Sequence, residues 1–238
     1  MNFVFDVDGT ITPSREKMDE KFQEYFLDFC HKNTVYLVTG SDYAKTEEQV
    51  GPEICFAAEG VFNCSGNMLT RRNVEMYRND FELTDDERMA LKNELYASGF
   101  SVRTGNHIEH RIGTVNFSVV GRNANKHERQ QYVRWDNATG ERVSICARMN
   151  EWFPRLECLV GGETSIDICL RGYNKGQVKN HIHGSIIFFG DRCNPGGNDY
   201  SLALLAEIVH NVQDWRETES LLRTRYERIT GKQNRTNG

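Results

Sequence analysis

Residues 3–12 read FVFDVDGTIT, a short apolar run that ends in two aspartates one residue apart. An unbroken apolar run of this length suits a strand buried on both faces, as in a parallel sheet. Aspartate is depleted in strands, and neighbouring carboxylates repel and are costly to bury unpaired. Asp6 and Asp8 therefore mark the end of this strand as a place where something positive is held. A divalent cation is the simplest candidate. The stretch FFGDRCNPGGND, 188–199, repeats the pattern: Asp191 follows an apolar run, and a Pro-Gly-Gly turn delivers Asn198 and Asp199. Ligands of open α/β sheets lie beyond the carboxyl ends of the strands. Such a fold would gather Asp6, Asp8, Asp191, Asn198 and Asp199, all hard oxygen donors suited to Mg2+ and poor for zinc. Asp-Gly and Asn-Pro-Gly-Gly are also ordinary turn formers, but turns alone do not call for acidic residues at every strand end.

The pattern around these stretches is that of alternating strands and helices. Residues 2–7 read as a strand, Met18, Phe22, Phe26 and Phe29 stand at helical spacing within 15–31, and TVYLVTG (34–40) reads as a second strand. SDYAKTEEQVG (41–51) is predicted as a helix capped by Ser41 or Asp42 and stopped by Gly51, and ICFAAEG (54–60) as a third strand. This order predicts a parallel α/β sheet with right-handed crossovers. From about residue 70 the pattern changes. RRNVEMYRND (71–80) is charged and turn-like, and 84–99 is an amphipathic helix with a Thr84–Glu87 capping box. Two strands near HIEHRIG and TVNFSVVG follow, then helices over 125–153 and a strand pair, RLECLVGG and TSIDICL. NKGQVKNHIHG (174–184) suits a helix, SIIFFGD (185–191) reads as a buried strand, NDYSLALLAEIVH (198–210) contains another helix, and Asp214 caps a last helix over 215–229. The expected organisation is a discontinuous core, 1–73 and 170–238, with an inserted α+β cap, 74–169.

The chain has 238 residues, 38% hydrophobic and 26% charged, enough for a sizeable core. A formal net charge of −5 argues against a protein that coats nucleic acid. Seven cysteines are scattered without a C-x-x-C pair, which suits reduced thiols in a cytoplasmic fold rather than a disulfide framework. Asp6 interrupts the first apolar run too early for a secretory or membrane segment, so neither a membrane nor a nucleic-acid partner is expected. His107 with His110, and His181 with His183, lack a third soft ligand nearby and read as surface or core histidines.

The carboxylates suggest phosphoryl chemistry. Mg2+ draws together a carboxylate and a phosphate that would otherwise repel. Asp6 could attack phosphorus and carry it as an aspartyl phosphate, while Asp8 protonates the leaving oxygen and deprotonates the incoming one. Thr39 and Ser41, at the end of the second strand, could donate to phosphate oxygens, and Lys175 could neutralise the transferring group. In the insert, Arg122 precedes a helix that starts near Asn125, and Arg129 sits one turn inside it, so a helix N-terminus and two guanidinium forks form a phosphate cradle. Arg111 lies on the adjacent strand. Ser165 and Asp167 alternate on one strand and share a face, where they could bond sugar hydroxyls; Asn116 could do likewise or simply pack.

DVDGT (6–10), VTGS (38–41), Lys175 and GDRCNPGGND (190–199) resemble the four ordered motifs of the haloacid-dehalogenase (HAD) superfamily. Within it, TPSREK with Arg15, GSDYAK, IEHRIGTVNFSVVGRN, GGETSIDI and GYNKG make the chain similar to the eukaryotic-type phosphomannomutases, from Asp6 to about Leu205. The resemblance implies a Rossmann-like core with a C2b-type cap and Mg2+. It implies that Thr39, Gly40, Ser41 and Arg15 belong to the core phosphate site, and that Arg111, Arg122 and Arg129 hold the phosphate remote from the metal. It further implies interconversion of mannose 6-phosphate and mannose 1-phosphate with a hexose bisphosphate primer, and a homodimer through the cap. Thr39 stands where the mutases carry Gly and phosphatase members carry Thr. A sugar-phosphate phosphatase is therefore the alternative, and a sugar-phosphate-binding module without chemistry the second.

Overall fold

Phe3, Val4 and Phe5 are all buried because the strand that carries them is packed on both faces. This is β1 (Asn2–Phe5) in a computed structural model that describes residues 1–226. Phe3 and Phe5 face a cluster with Phe22, Phe26 and Phe29, whereas Val4 faces one with Tyr36, Val38, Phe62 and Phe188. Helix α1 (Glu20–Lys32) supplies the first cluster. It begins after Met18, not at the start of the periodic run, because the Asp19 carboxylate accepts from the backbone N–H groups of Lys21 and Phe22 and so caps the helix there. Strand β2 (Val35–Val38) and helix α2 (Tyr43–Val50) follow, the latter capped by Asp42 and ended by Gly51 at φ 89°.

The run expected as a third strand is instead helix α3 (Pro52–Ala57). Proline at the first helical turn and Glu53 beside it favour a helix start, and a short apolar run does not by itself separate strand from helix. The third strand, β3 (Gly60–Asn63), begins where that run ends. β4 (Met68–Arg71) and β5 (Val74–Arg78) form a hairpin through Arg72 and Asn73, both at positive φ, as a type I′ turn requires. The charged segment read as a turn is thus an edge strand with mostly exposed side chains.

The chain divides into two compact units, Met1–Arg78 with the chain from Asn174 onward, and Asn79–Tyr173. β5 is what carries the first unit past residue 73. The second unit comprises α4 (Asp85–Ala97), β6 (Ile108–Arg111), β7 (Thr114–Phe117), α5 (Lys126–Thr139), α6 (Glu141–Trp152), β8 (Leu156–Gly161) and β9 (Ser165–Leu170). The Thr84–Glu87 capping box of α4 forms in both directions. Its antiparallel sheet has the order β6-β7-β9-β8 and sets Glu109 opposite Asn116, and Asn116 opposite Asp167.

The chain re-enters the first unit through a 3-10 helix, Lys175–His181, within the stretch 174–184 expected to be helical. β10 (Ile186–Gly190), the short α7 (Tyr200–Ala203), β11 (Ile208–Asn211) and α8 (Trp215–Leu221), capped by Asp214, complete it. α7 is the helix expected within 198–210, β11 takes up the end of that stretch, and the last part of the helix expected to 229 lies outside the described residues. The seven-stranded sheet has the order β11-β10-β1-β2-β3-β4-β5, parallel from β11 to β3 and antiparallel thereafter. The carboxyl ends of β1, β2 and β10 therefore lie side by side. All seven cysteines are buried and none is in a disulfide. Among the described residues no helix is long and apolar enough to cross a membrane.

Candidate active site

Parallel pairing of β1 with β10 places Phe5 opposite Phe189, so the residues that follow, Asp6 and Asp191, emerge at the same edge. The Asp6 backbone N–H donates to Phe189 O at 2.9 Å, which fixes the register at this end. Asp199 returns to the edge after the Pro-Gly-Gly turn and is fully buried. Carboxylate oxygens of Asp6, Asp191 and Asp199 all lie within 4.8 Å of one another. Two glycines make the room. A Cβ on Gly9, at φ 81°, would meet Asp191 Oδ2 at 2.7 Å, and one on Gly190 would meet Asp199 Oδ2 at 2.6 Å.

Lys175 places one cation among these anions. Its ammonium is 1% exposed and donates to Asp6 Oδ1 and, at 2.6 Å, to Asp199 Oδ1. Asp6 Oδ2 accepts from Thr10 Oγ1 at 3.2 Å, and Asp199 Oδ2 accepts from the Arg192 N–H at 3.1 Å. Burial pushes the Asp6 pKa up to about 7 against the pull of Lys175, with Asp199 and Asp191 adding repulsion. Burial opposes the charge on Lys175, but the Asp199 and Asp6 carboxylates outweigh it and hold its pKa above the usual lysine value. Asp191 is also shifted upward, by burial and then by Asp199. Three carboxylates face one ammonium, a surplus of negative charge on hard oxygen donors that fits a divalent cation.

The other predicted core residues take separate places around this cluster. Asp8 is half-buried; its Oδ1 accepts from the Arg15 N–H at 2.6 Å and from Gln49 Nε2 at 2.9 Å. Arg15 is exposed and sits at φ 64°. Thr39 is buried after β2; its Oγ1 accepts from the Ser41 N–H at 3.1 Å, which leaves the hydroxyl proton free to donate. Gly40 is exposed and Ser41 half-buried. Asn198 is exposed beside Asp199.

The second unit carries its own polar cluster. Across β6, β7 and β9 the register aligns Glu109, Asn116 and Asp167. Asn116 is buried and donates through Nδ2 to Asp167 Oδ1 at 2.5 Å, while its Oδ1 has no hydrogen-bond partner among the described residues. Glu109 Oε2 accepts from Arg122 Nε at 2.7 Å and from Arg111 Nη2 at 3.1 Å. Although partial burial opposes its charge, these two guanidinium groups hold its pKa below the usual glutamate value. Arg129, one turn into α5, donates to Glu163 Oε2 at 3.0 Å. Ser165 is buried at the start of β9, and Asp167 is exposed. Sequence reasoning missed Glu109, Glu163 and Gln49. Glu109 alone carried a signal, since it shares a strand face with Arg111 two residues on.

A model of the eukaryotic phosphomannomutase family matches residues 22–227. The phosphomannomutase of Saccharomyces cerevisiae is 30% identical over 232 residues, covering 92% of this chain and 91% of that one. Among solved structures, the IMP-bound IMP-nucleotidase of Plasmodium falciparum superposes with a TM-score of 0.65 at 14% identity, covering 93% of this chain and 67% of that one. A haloacid dehalogenase-like hydrolase from Bacteroides thetaiotaomicron gives a TM-score of 0.58 at 12% identity, covering 92% and 91%. These two likenesses are of fold, the α/β fold of haloacid-dehalogenase-like hydrolases. By sequence, the chain belongs to the eukaryotic phosphomannomutase family.

Proposed function

We propose that the protein is a Mg2+-dependent phosphotransferase on hexose phosphates, interconverting mannose 6-phosphate and mannose 1-phosphate through an aspartyl phosphate on Asp6. The observation that carries this reading is the buried ammonium of Lys175 shared between Asp6 and Asp199, with Asp191 alongside, in a chain of this family. Asp6, Asp191 and Asp199 would hold Mg2+, which when bound supplies positive charge against the phosphoryl group. A carboxylate oxygen of Asp6 attacks phosphorus as the bond from phosphorus to the sugar oxygen breaks. Protonated Asp8 gives its proton to that departing oxygen and is left ionised. It then takes the proton of the incoming hydroxyl as that oxygen accepts the phosphoryl group from Asp6. Lys175 balances the charge on Asp6 and the transferring group. Thr39, Gly40 and Ser41 donate hydroxyl and backbone N–H bonds to phosphoryl oxygens, and Arg15 adds a guanidinium.

In this reading the unit Asn79–Tyr173 is the substrate-binding cap. Arg111, Arg122 and Arg129 hold the phosphate that is not reacting, and Asn116, Ser165 and Asp167 bond sugar hydroxyls. A hexose bisphosphate serves as primer and as intermediate, since each phosphate must in turn be the one transferred. Thr39 favours a second reading, a sugar-phosphate phosphatase, because its free hydroxyl proton suits the phosphate site of hydrolytic members. The test is incubation with mannose 1-phosphate and Mg2+, with and without a hexose bisphosphate, following both mannose 6-phosphate and free phosphate. Isomerisation stimulated by the bisphosphate is the expected result. Phosphate release alone would make the protein a hydrolase, and binding without turnover a recognition module.

A further inference from the structure

The mechanism above leaves a buried side chain beside Asp8 without a role. Gln49 is 1% exposed on the inner face of α2, with Thr46 and Val50. Its Nε2 lies 2.9 Å from Asp8 Oδ1, 3.3 Å from Glu16 O and 3.5 Å from Thr12 Oγ1. Its Oε1 is buried and has no hydrogen-bond partner among the described residues. A buried amide oxygen without a partner is destabilising, and an apolar side chain of similar volume would avoid it. Packing alone therefore does not call for glutamine here. The orientation of the amide is fixed by its neighbours. Turning it over would set Oε1 against both the Glu16 carbonyl and the Asp8 carboxylate, so only the donor side can face Asp8. The segment is also pinned from behind, since the Met18 N–H donates to Gln49 O at 2.8 Å.

Both donors to Asp8, the Gln49 amide and the Arg15 N–H, fall on Oδ1. Among the described residues no bond falls on Oδ2. A carboxyl oxygen that already accepts two N–H bonds has little room for a proton, whereas the other oxygen is free to carry one.

We infer that Gln49 is a positioning residue for proton transfer: it grips Asp8 by Oδ1 and so assigns Oδ2 as the oxygen that exchanges a proton with the sugar. The inference rests on the reading of Asp8 as acid and base. It goes beyond that reading by naming the oxygen and the group that selects it.

The test uses leaving-group dependence. A sugar oxygen leaves poorly and needs the proton, whereas p-nitrophenolate leaves without one. A loosened Asp8 therefore slows the first step, transfer from the sugar phosphate to Asp6, selectively, whereas its base role in the second step is common to both substrates. Single-turnover rates isolate the first step, and a general fault in the fold lowers both. Gln49→Met keeps the side-chain volume and removes the donor. In the full chain with Mg2+, the single-turnover rate of phosphoryl transfer from mannose 1-phosphate should fall roughly tenfold or more relative to the fall for p-nitrophenyl phosphate, as part of the 10²–10⁴-fold that general acid–base catalysis supplies. Equal losses on the two substrates, or no loss on either, would overturn the positioning role. Should Gln49→Met fail to fold, Gln49→Glu keeps the shape, replaces the donor by an acceptor and is expected to give the same selective loss. Asp8→Asn separates the two levels. If it lowers both single-turnover rates equally, the proton-transfer reading of Asp8 fails, and the inference with it. If Asp8→Asn is selective and the Gln49 variant is not, the inference alone fails.

Discussion

Lys175 Nζ lies 2.6 Å from Asp199 Oδ1 and donates to Asp6 at the same time, so one buried ammonium serves two carboxylates that are 193 positions apart in the chain. Each of the three is at most 3% exposed. Taking one partner from such a group leaves charge buried without compensation, which typically costs about 3–5 kcal/mol.

Lys175→Met should therefore destabilise the protein by about that amount in the absence of divalent cation. Mg2+ should recover part of it, because a cation among Asp6, Asp191 and Asp199 replaces the missing positive charge. Thermal unfolding with EDTA and with Mg2+ measures both effects. A variant as stable as the parent in EDTA would mean that the ammonium does not hold the cluster together.

The pKa of Asp6, pushed up to about 7 from the 3.8 of an unperturbed aspartate, makes a prediction with a definite sign. A carboxyl that binds its proton more tightly in the folded state contributes stability that is full below the unfolded pKa. That contribution is lost as pH rises through the folded value. Without Mg2+, the wild type should lose stability relative to Asp6→Asn between about pH 4 and pH 7 and then level off. With saturating Mg2+ the ion holds Asp6 ionised, and the loss should disappear. Urea midpoints for the two proteins across this range, each with and without Mg2+, provide the check. Asp6→Asn should also abolish turnover, and retained activity would remove Asp6 as the nucleophile.

The arginines of the second unit test the two-phosphate reading. Arg129 is partly exposed and held by Glu163, so its loss leaves no buried charge and the fold should tolerate Arg129→Ala. Turnover of mannose 1-phosphate should fall by at least roughly 10-fold more than hydrolysis of p-nitrophenyl phosphate, which has no second phosphate to hold, given the 1.5–3 kcal/mol typical of a charged hydrogen bond. Equal losses on the two substrates would take Arg129 away from the distal phosphate.

Much of the carboxylate cluster was legible in the sequence because it depends on strand ends. FVFD and FFGD are apolar runs closed by aspartate, and a parallel sheet can only bring such ends together. The errors arose where local patterns are ambiguous or tertiary contact decides. ICFA reads equally as strand or helix, and only Gly51-Pro52 before it tips the balance. β5 and β11 lie at opposite edges of the sheet, where exposed side chains blunt the apolar signal. Gln49 looks like one more polar residue on an amphipathic helix, and nothing in its spacing shows that the helix turns it toward Asp8. Glu109 was overshadowed by the arginines it holds.

Gly9 offers a test confined to the cluster. Its φ of 81° is one that side-chain-bearing residues adopt with strain, and an added Cβ would stand 2.7 Å from Asp191 Oδ2. Gly9→Ala should therefore displace Asp191 and weaken Mg2+ binding, seen by calorimetry as a higher Kd, with a parallel rise in the Mg2+ needed for half-maximal turnover. Unchanged Mg2+ affinity would place Asp191 outside the metal site.

Arg142 is the corresponding test for the second unit. It is buried, with Nε 2.7 Å from Asp136 Oδ2 and Nη1 donating to the carbonyls of Gly161, Gly162 and Ser165 at 2.8, 3.1 and 3.1 Å. One guanidinium thus ties α6 to the turn between β8 and β9, which carries Glu163 and leads into Ser165. Arg142→Met strands Asp136 as an unpaired buried charge and frees the turn, so it should cost about 3–5 kcal/mol. The double variant Arg142→Met with Asp136→Leu removes the stranded charge and should recover much of that loss, although the turn stays loose. Urea unfolding followed by fluorescence separates the outcomes, because Trp135 and Trp152 report on this unit and Trp215 on the other. The KM for mannose 1-phosphate should rise in both variants, since both leave Glu163 and Ser165 poorly held. A double variant with normal KM would show that the turn keeps its shape without Arg142.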